Sequence, residues 1–248
     1  MVHPGLSIIP FLAILLLSVP ATAPAQQFET DTLQTASGPL VITFIGHGSL
    51  MFSFGGKTIH VDPCSELTDY AKLPKADLVL VTHEHRDHFD RGALEAVMTE
   101  NSLIVLPELC AVQYQEGIVM RNEDIKTVLG FKIEAVAAYN IVNKRNTGIP
   151  YHIKGIGNGY VITFGDKRVY VAGDTEPIPE MKELQDIDVA FVPMNLPFTM
   201  TPEMAADAAT SIRPKILYPY HFGDSDTAKL VELLKDEPGI EVRIRNMK

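Results

Sequence analysis

The chain reads as an α/β protein, a four-layer αββα sandwich built from two homologous halves. Three observations predict this. Short β-rich runs alternate with helical segments; a glycine-turned hairpin near residues 41–63 returns near residues 158–175; and the apolar run after the first hairpin, DLVLV, is echoed after the second as DVAFV. Phe54-Gly55-Gly56-Lys57 aligns with Phe164-Gly165-Asp166-Lys167, and Ile59 and Val61 align with Val169 and Val171, so one register spans two separate elements. Internal self-similarity of this kind points to duplication, placing the halves at about residues 38–140 and 141–248 around one shared core. Two sheets packed face to face, with helices on the outer faces, is the economical layering for such a pattern.

The elements follow in order. Residues 6–19, LSIIPFLAILLLSV, are almost wholly apolar, yet they contain Pro10 and fall short of the roughly 18 to 20 residues that span a bilayer. Ala21, Ala23 and Ala25 then offer small residues at signal-peptidase spacing, although His3 is the sole basic residue ahead of the apolar stretch. Residues 1–25 read as a secretory signal peptide, which predicts a secreted or periplasmic protein with no membrane span once the signal is removed. Export would let Cys64 and Cys110 pair, but two such cysteines are more often unpaired core residues. Residues 26–37 form a polar leader, and residues 38–248 form one domain.

Gly55-Gly56 suits a two-residue hairpin turn, because both residues can take positive φ. Asp90 can cap a helix over RGALEAVMTE, Thr201-Pro202 supplies a cap and first-turn proline for EMAADAATSI, and Asp226 opens DTAKLVELLK, whose apolar residues fall at helical spacing. A formal charge of -10, with no long run of Lys or Arg, argues against nucleic acid as a ligand and leaves a small-molecule substrate as the expected partner. Lys144, Arg145 and Lys154 read as solvated surface.

The chemistry concentrates in LVTHEHRDHFD, residues 80–90, where three of the chain's 8 histidines follow an apolar run. If the strand continues, His83 and His85 project to one side while Glu84 faces away, and beyond them Asp87 and His88 can reach a second point nearby. Imidazole and carboxylate are the donors that borderline and hard divalent ions accept. Two ions need about seven ligands, so the cluster predicts further donors at other strand ends. Asp174, after Gly173, and His221, after KILYPY, are the candidates. The echo fails here, because Met194 and Leu196 stand opposite His83 and His85.

The pattern His83-x-His85-x-Asp87-His88, Gly173-Asp174 and a late His221 resembles the metallo-β-lactamase superfamily signature over most of residues 40–222. Its wording, including GHGSLMF, DPCS, ADLVLVTHEHRDH, AGDTEPIPEM and PYHFG, is most similar to the L-ascorbate-6-phosphate lactonase-like branch. The resemblance implies a dinuclear hydrolase cleaving an ester, lactone, amide or phosphodiester with a metal-bound hydroxide, commonly at two zinc ions, with manganese or iron as alternatives. By position, His83 and His85 would hold the first ion and Asp87, His88 and His221 the second. Asp174 would bridge them, Asp87 would also serve as the catalytic carboxylate, and Asp62 would orient a ligand histidine. Where several relatives carry the third histidine of the first ion, this chain has Asn140; His152, ahead of Gly159-Tyr160, is favoured for that place, with Asn140 as a substrate contact. Tyr139, Asn195, Phe198, Thr199 and Tyr220 would frame the pocket and Cys64 its rim. A metal-retaining protein of the same fold that only binds a ligand or partner is the alternative.

Overall fold

A computed structural model describes Met1 and residues 28–248; the expected signal segment lies outside the described residues. Among these, no helix is long and apolar enough to cross a membrane. The first sheet carries β1 (Glu29–Thr35), β2 (Gly38–Gly46), β3 (Ser49–Phe54), β4 (Lys57–Val61), β5 (Leu78–Leu80), β6 (Leu103–Leu106) and β7 (Ile118–Val119), side by side in chain order. The second carries β8 (Ile125–Val128), β9 (Phe131–Ala138), β10 (Gly157–Phe164), β11 (Lys167–Val171), β12 (Val189–Pro193), β13 (Ile216–Tyr220) and β14 (Glu241–Val242), also adjacent in chain order. In each, the first four strands pair antiparallel and the last three join in parallel. The duplication is therefore complete in topology.

The repeat boundary differs from the expected one. The second sheet opens at β8, so β9 belongs to the second half and matches β2. The sequence echo begins only at the following hairpin, so residue order alone does not assign β9 to the second half. The polar leader is also structured: Glu29–Thr35 pairs with β2 as an edge strand, and Asp31 on it accepts hydrogen bonds from Tyr218 and Arg245. Its alternation of polar residues around Leu33 suits a strand that is half exposed.

The layers follow from strand periodicity. Leu78 and Leu80 face the apolar core shared by the two sheets, while Val79 and Val81 face the other way and pack with Ala93, Leu94, Val97 and Cys110. Those last four come from α1 (Arg91–Val97) and α2 (Glu108–Tyr114), so both faces of the parallel strands are covered, which is why they read as continuous apolar runs. α3 (Pro202–Ile212) and α4 (Thr227–Leu234) pack on the second sheet's side. Asp90, Thr201 and Asp226 cap α1, α3 and α4 as expected, each accepting from backbone N–H groups of the first turn. At the first hairpin Gly55 and Gly56 take φ of 57° and 75°, the turn that a two-residue loop requires. Cys64 and Cys110 are both buried free thiols.

One histidine is a core residue. His60 on β4 is fully buried, its Nε2–H donating to the Pro74 carbonyl at 3.0 Å while Nδ1 has no partner. Burial lowers its pKa to about 4, from 6.5. Between these values the unfolded chain binds a proton that the folded chain refuses, so this contribution to stability is complete above pH 6.5 and is lost as pH falls toward 4. His60→Gln keeps a donor for Pro74 and removes the titration. Urea unfolding at pH 7.5 and 4.5 should show the variant losing about 2 kcal/mol less on acidification than the parent; an equal loss in both would place the acid sensitivity elsewhere.

Candidate metal centre

The site lies where six strands end. The connections after β2, β4 and β5 in the first sheet meet those after β9, β11 and β13 in the second, all at the carboxyl ends of strands running the same way. That edge is where α/β sheets usually place ligands. The sheets are joined there by the His221 N–H donating to the His47 carbonyl at 2.9 Å and by Asn158 N–H donating to the Thr82 carbonyl at 2.8 Å.

Two groups of donors converge. In the first, His85 Nδ1 lies 3.2 Å from His83 Nε2 and 3.1 Å from His152 Nε2. Bonds of 2.0–2.1 Å around a tetrahedral zinc put neighbouring donors roughly 3.4 Å apart, so this spacing fits a shared cation. In the second, Asp87 Oδ2 lies 3.2 Å from His47 Nε2, 3.5 Å from His221 Nε2 and 3.6 Å from His88 Nε2. Asp174 stands between the groups, with Oδ2 3.3 Å from His152 Nε2 and 3.5 Å from His221 Nε2, and Oδ1 3.5 Å from His88 Nε2. The structure thus brings His83, His85, Asp87, His88, His152, Asp174 and His221 together.

The donors point inward because acceptors behind them set the tautomers. Asn140 Oδ1 can only accept, so the 2.7 Å contact puts a proton on His152 Nδ1 and leaves Nε2 bare. Asp62 likewise accepts from His88 Nδ1 across 2.8 Å and so turns its Nε2 toward the centre. Thr82 Oγ1 donates to Asp62 Oδ2 at 2.6 Å and thus accepts from His83 Nδ1 at 3.0 Å. Three imidazoles therefore turn their Nε2 atoms to one region.

The electrostatics agree with a cation site. Burial opposes charge on His88, but Asp174, Asp62 and Asp87 around it outweigh this and hold its pKa up at about 10. Such a place attracts positive charge, and a divalent ion takes it by displacing the proton. For Asp174, too, burial works against ionisation, yet His221, His88, His152 and His83 keep the carboxyl well below the usual range. Burial pushes the pKa of His83 and of His85 down, helped by the charge of His88 at the first and of His152 at the second, which favours their neutral, metal-binding form.

Several expectations need correction. β5 ends at Leu80, so His83 and His85 converge from an irregular segment and not from strand alternation. Asn140 is buried and bonded to His152, Glu176 and the Phe198 carbonyl, and so positions the imidazole. Tyr139, Thr199 and Tyr220 are buried behind the site and Cys64 is buried off it, whereas Asn195 and Phe198 do line the cavity. Arg145, expected on the surface, lines it as well, while Lys154 is held away by Glu180 at 2.7 Å.

Two residues were missed. His47 sits between Gly46 and Gly48 at the end of β2, and its glycine-flanked position in the quoted GHGSLMF was the available signal. A Cβ at Gly48 would come within 2.6 Å of His88 Cε1, so that glycine makes room for the ring. Glu176 is fully buried and accepts from the Ile141, Val142 and Asn143 N–H groups at 2.6–2.7 Å, which pins the β9–β10 connection that carries Asn140 and His152.

A two-sheet sandwich with histidines and aspartates gathered from both sheets at one edge defines a metallo-β-lactamase fold, and residues 41–221 match the Beta-lactamase superfamily domain. The chain is 32% identical over 189 residues to the UPF0173 metal-dependent hydrolase of Natranaerobius thermophilus, covering 73% of this chain and 82% of that protein. It belongs to the UPF0173 metal-dependent hydrolase family. A crystal structure from Parabacteroides distasonis, described as a metal-dependent hydrolase, superposes with a TM-score of 0.86 at 49% identity over 90% of this chain and 100% of that one. Igni18, a metallo hydrolase of Ignicoccus hospitalis, shares the fold at a TM-score of 0.70 and 23% identity, over 84% of this chain and 96% of its own. The protein is thus a metal-dependent hydrolase.

Asn140→Ala frees the His152 ring, and Gly48→Ala displaces that of His88. Each should weaken metal binding about 10- to 100-fold with the fold retained, as loss of an orienting partner does elsewhere. Competition with a chromophoric chelator, read beside circular dichroism, measures both, and affinities equal to the parent's would show that neither contact orients a donor.

Proposed function

We propose that the chain is an exported hydrolase using two divalent ions, zinc favoured over manganese or iron, to cleave an ester, lactone, amide or phosphodiester bond of a small molecule. One observation carries the reading: His88 Nε2, His221 Nε2 and Asp174 Oδ1 are buried and have no hydrogen-bond partner, and they face one another across the centre. Orphaned buried polar atoms are costly unless something binds them. The donor set fits cations. His83, His85 and His152 would hold the first ion; Asp87, His88 and His221, joined by His47, the second; and Asp174, facing both groups, would be shared.

When bound at these residues, such ions would supply a lowered pKa for a bound water and Lewis-acid polarisation of the substrate oxygen. The chain's own residues do the rest. Asp87, with its side chain 44% exposed at the cavity wall, accepts a hydrogen bond from the attacking water and so orients it. Asn140, Asp62 and Thr82 hold the imidazoles in their tautomers, so little reorganisation is left for the reaction. The cavity, about 400 Å³ and lined by Tyr151, Phe198, Asn195 and Arg145, admits a small molecule and sits at the low end of ligand-pocket sizes. The motif wording shared with the L-ascorbate-6-phosphate lactonase-like branch supports lactones among the candidate substrates, and the apolar segment before Ala25 supports export.

Metal analysis of the chain from residue 26 onward should find about two divalent ions per molecule, and a panel of lactones, phosphodiesters, thioesters and β-lactams should yield one hydrolysed class. Protein purified mildly with no bound metal would sink the dinuclear reading. Asp174→Ala should lose one ion and more than about a hundredfold in rate while its strand, buried through Val169 and Val171, stays folded. A fully metallated, active Asp174→Ala would remove the shared carboxylate from the scheme.

A further inference from the structure

Two arginines line the cavity, and they differ in what occupies them. Arg86 is paired with Glu66 at 3.0 Å. Arg145 lies over the face of the Tyr151 ring, 5.1 Å from its centroid, and among the described residues no carboxylate pairs with it. In a chain of net charge -10, a cation left unpaired beside a site rich in carboxylates is unexpected as mere surface.

The backbone presents this guanidinium in a defined way. Arg145 N–H donates to the Ile149 carbonyl and Gly148 N–H to the Arg145 carbonyl, each at 2.8 Å, and Lys144 bridges Pro150, so residues 144–150 close into a small hairpin. Tyr151 stands edge-on to Phe198 at 5.2 Å, and the next residue is His152 of the metal centre. The segment that supplies one imidazole to the centre therefore also sets the distance from that centre to the guanidinium. A planar fork with five donors and no partner suits a carboxylate or a phosphate.

We infer that Arg145 is the specificity-determining residue of this hydrolase and recognises an anionic group, carboxylate or phosphate, on the end of the substrate remote from the scissile bond. The inference rests on the preceding reading for the location of the scissile bond. Tyr151 supports the guanidinium from below and, with Phe198, forms the apolar wall along which the linking part of the substrate lies. Neutral lactones and esters that fit the cavity are then poor substrates beside their anionic counterparts.

The test is a binding comparison by titration calorimetry on the metal-loaded protein. Linear dicarboxylates of four to seven carbons are each compared with the monocarboxylate of equal length, so that one carboxylate engages the centre and the second is free to reach Arg145. At the length that spans the gap, the dicarboxylate should bind at least about tenfold more tightly, the value of one charged hydrogen-bonding contact. Arg145→Gln should bring the pair to within about twofold, and Arg145→Lys should restore part of the difference. Phosphonocarboxylates of the same lengths separate the two anions: a larger Arg145-dependent gain than the dicarboxylates show assigns phosphate, and a smaller one assigns carboxylate. Equal affinities within every pair, or a difference that survives Arg145→Gln, would overturn the inference. Because the readout is binding, a protein that hydrolyses nothing in the panel would count against the proposed function and leave this comparison intact.

Discussion

The metal centre depends on one buried carboxylate that never faces the cavity. Asp62 is wholly buried, and both of its oxygens are used: Oδ1 accepts from the Thr82 N–H at 2.7 Å, while Oδ2 accepts from Thr82 Oγ1 and His88 Nδ1. Through Thr82 it sets His83, and directly it sets His88, so one residue behind the centre orients a donor in each of the two groups. A buried charge of this kind is tolerated only when fully hydrogen-bonded. Removing any of its donors would weaken that compensation and loosen the imidazole that it orients.

The second half solves the same problem with Glu176. Its carboxylate takes three consecutive backbone N–H groups and the Asn140 amide, and Asn140 in turn sets His152. Each half thus contributes one buried carboxylate that holds a connection and orients an imidazole. The backbone also bears strain there. His47, Asp62 and His221 have φ of 48°, 44° and 48°, in the left-handed region that costs non-glycine residues of order 1 kcal/mol or more each. Such conformations persist because packed strands end on either side of them. The aromatic core between the sheets, with Phe191 stacked on Tyr218 at 5.2 Å and Phe44 against both, supplies that rigidity.

The duplication explains how the centre is shared out. β2 and β9 are equivalent strands, and the connection after the first carries His47 while the connection after the second carries Asn140 and His152. The short first connection places its histidine directly; the longer second one folds back, and needs Glu176 to hold it. The residues matching His83 and His85, Met194 and Leu196, offer neither imidazole nor carboxylate, so the second half contributes through other strand ends, at Asp174 and His221. One site at the joint edge of two sheets replaces the two that a symmetric duplication would have built.

Much of this was legible in residue order. Hairpin turns, helix caps and the repeat register are local or periodic signals, set by φ preferences, by orphan N–H groups and by alternating burial, so the sandwich and the cluster at residues 83–88 could be read from neighbours in the chain. The edge strand at Glu29–Thr35 escaped because Leu33 is its one apolar residue, so it shows no alternating apolar signal; pairing with β2 and contacts from Tyr218 and Arg245 hold it. The same holds for the site's supporting residues. That Asn140 orients His152, that Glu176 anchors their loop, that His47 joins Asp87 and that Arg145 reaches the cavity all depend on strand ends from different sheets meeting at one edge. A side chain's role there is set by what packs against it across that edge, and no spacing along the sequence encodes that distance.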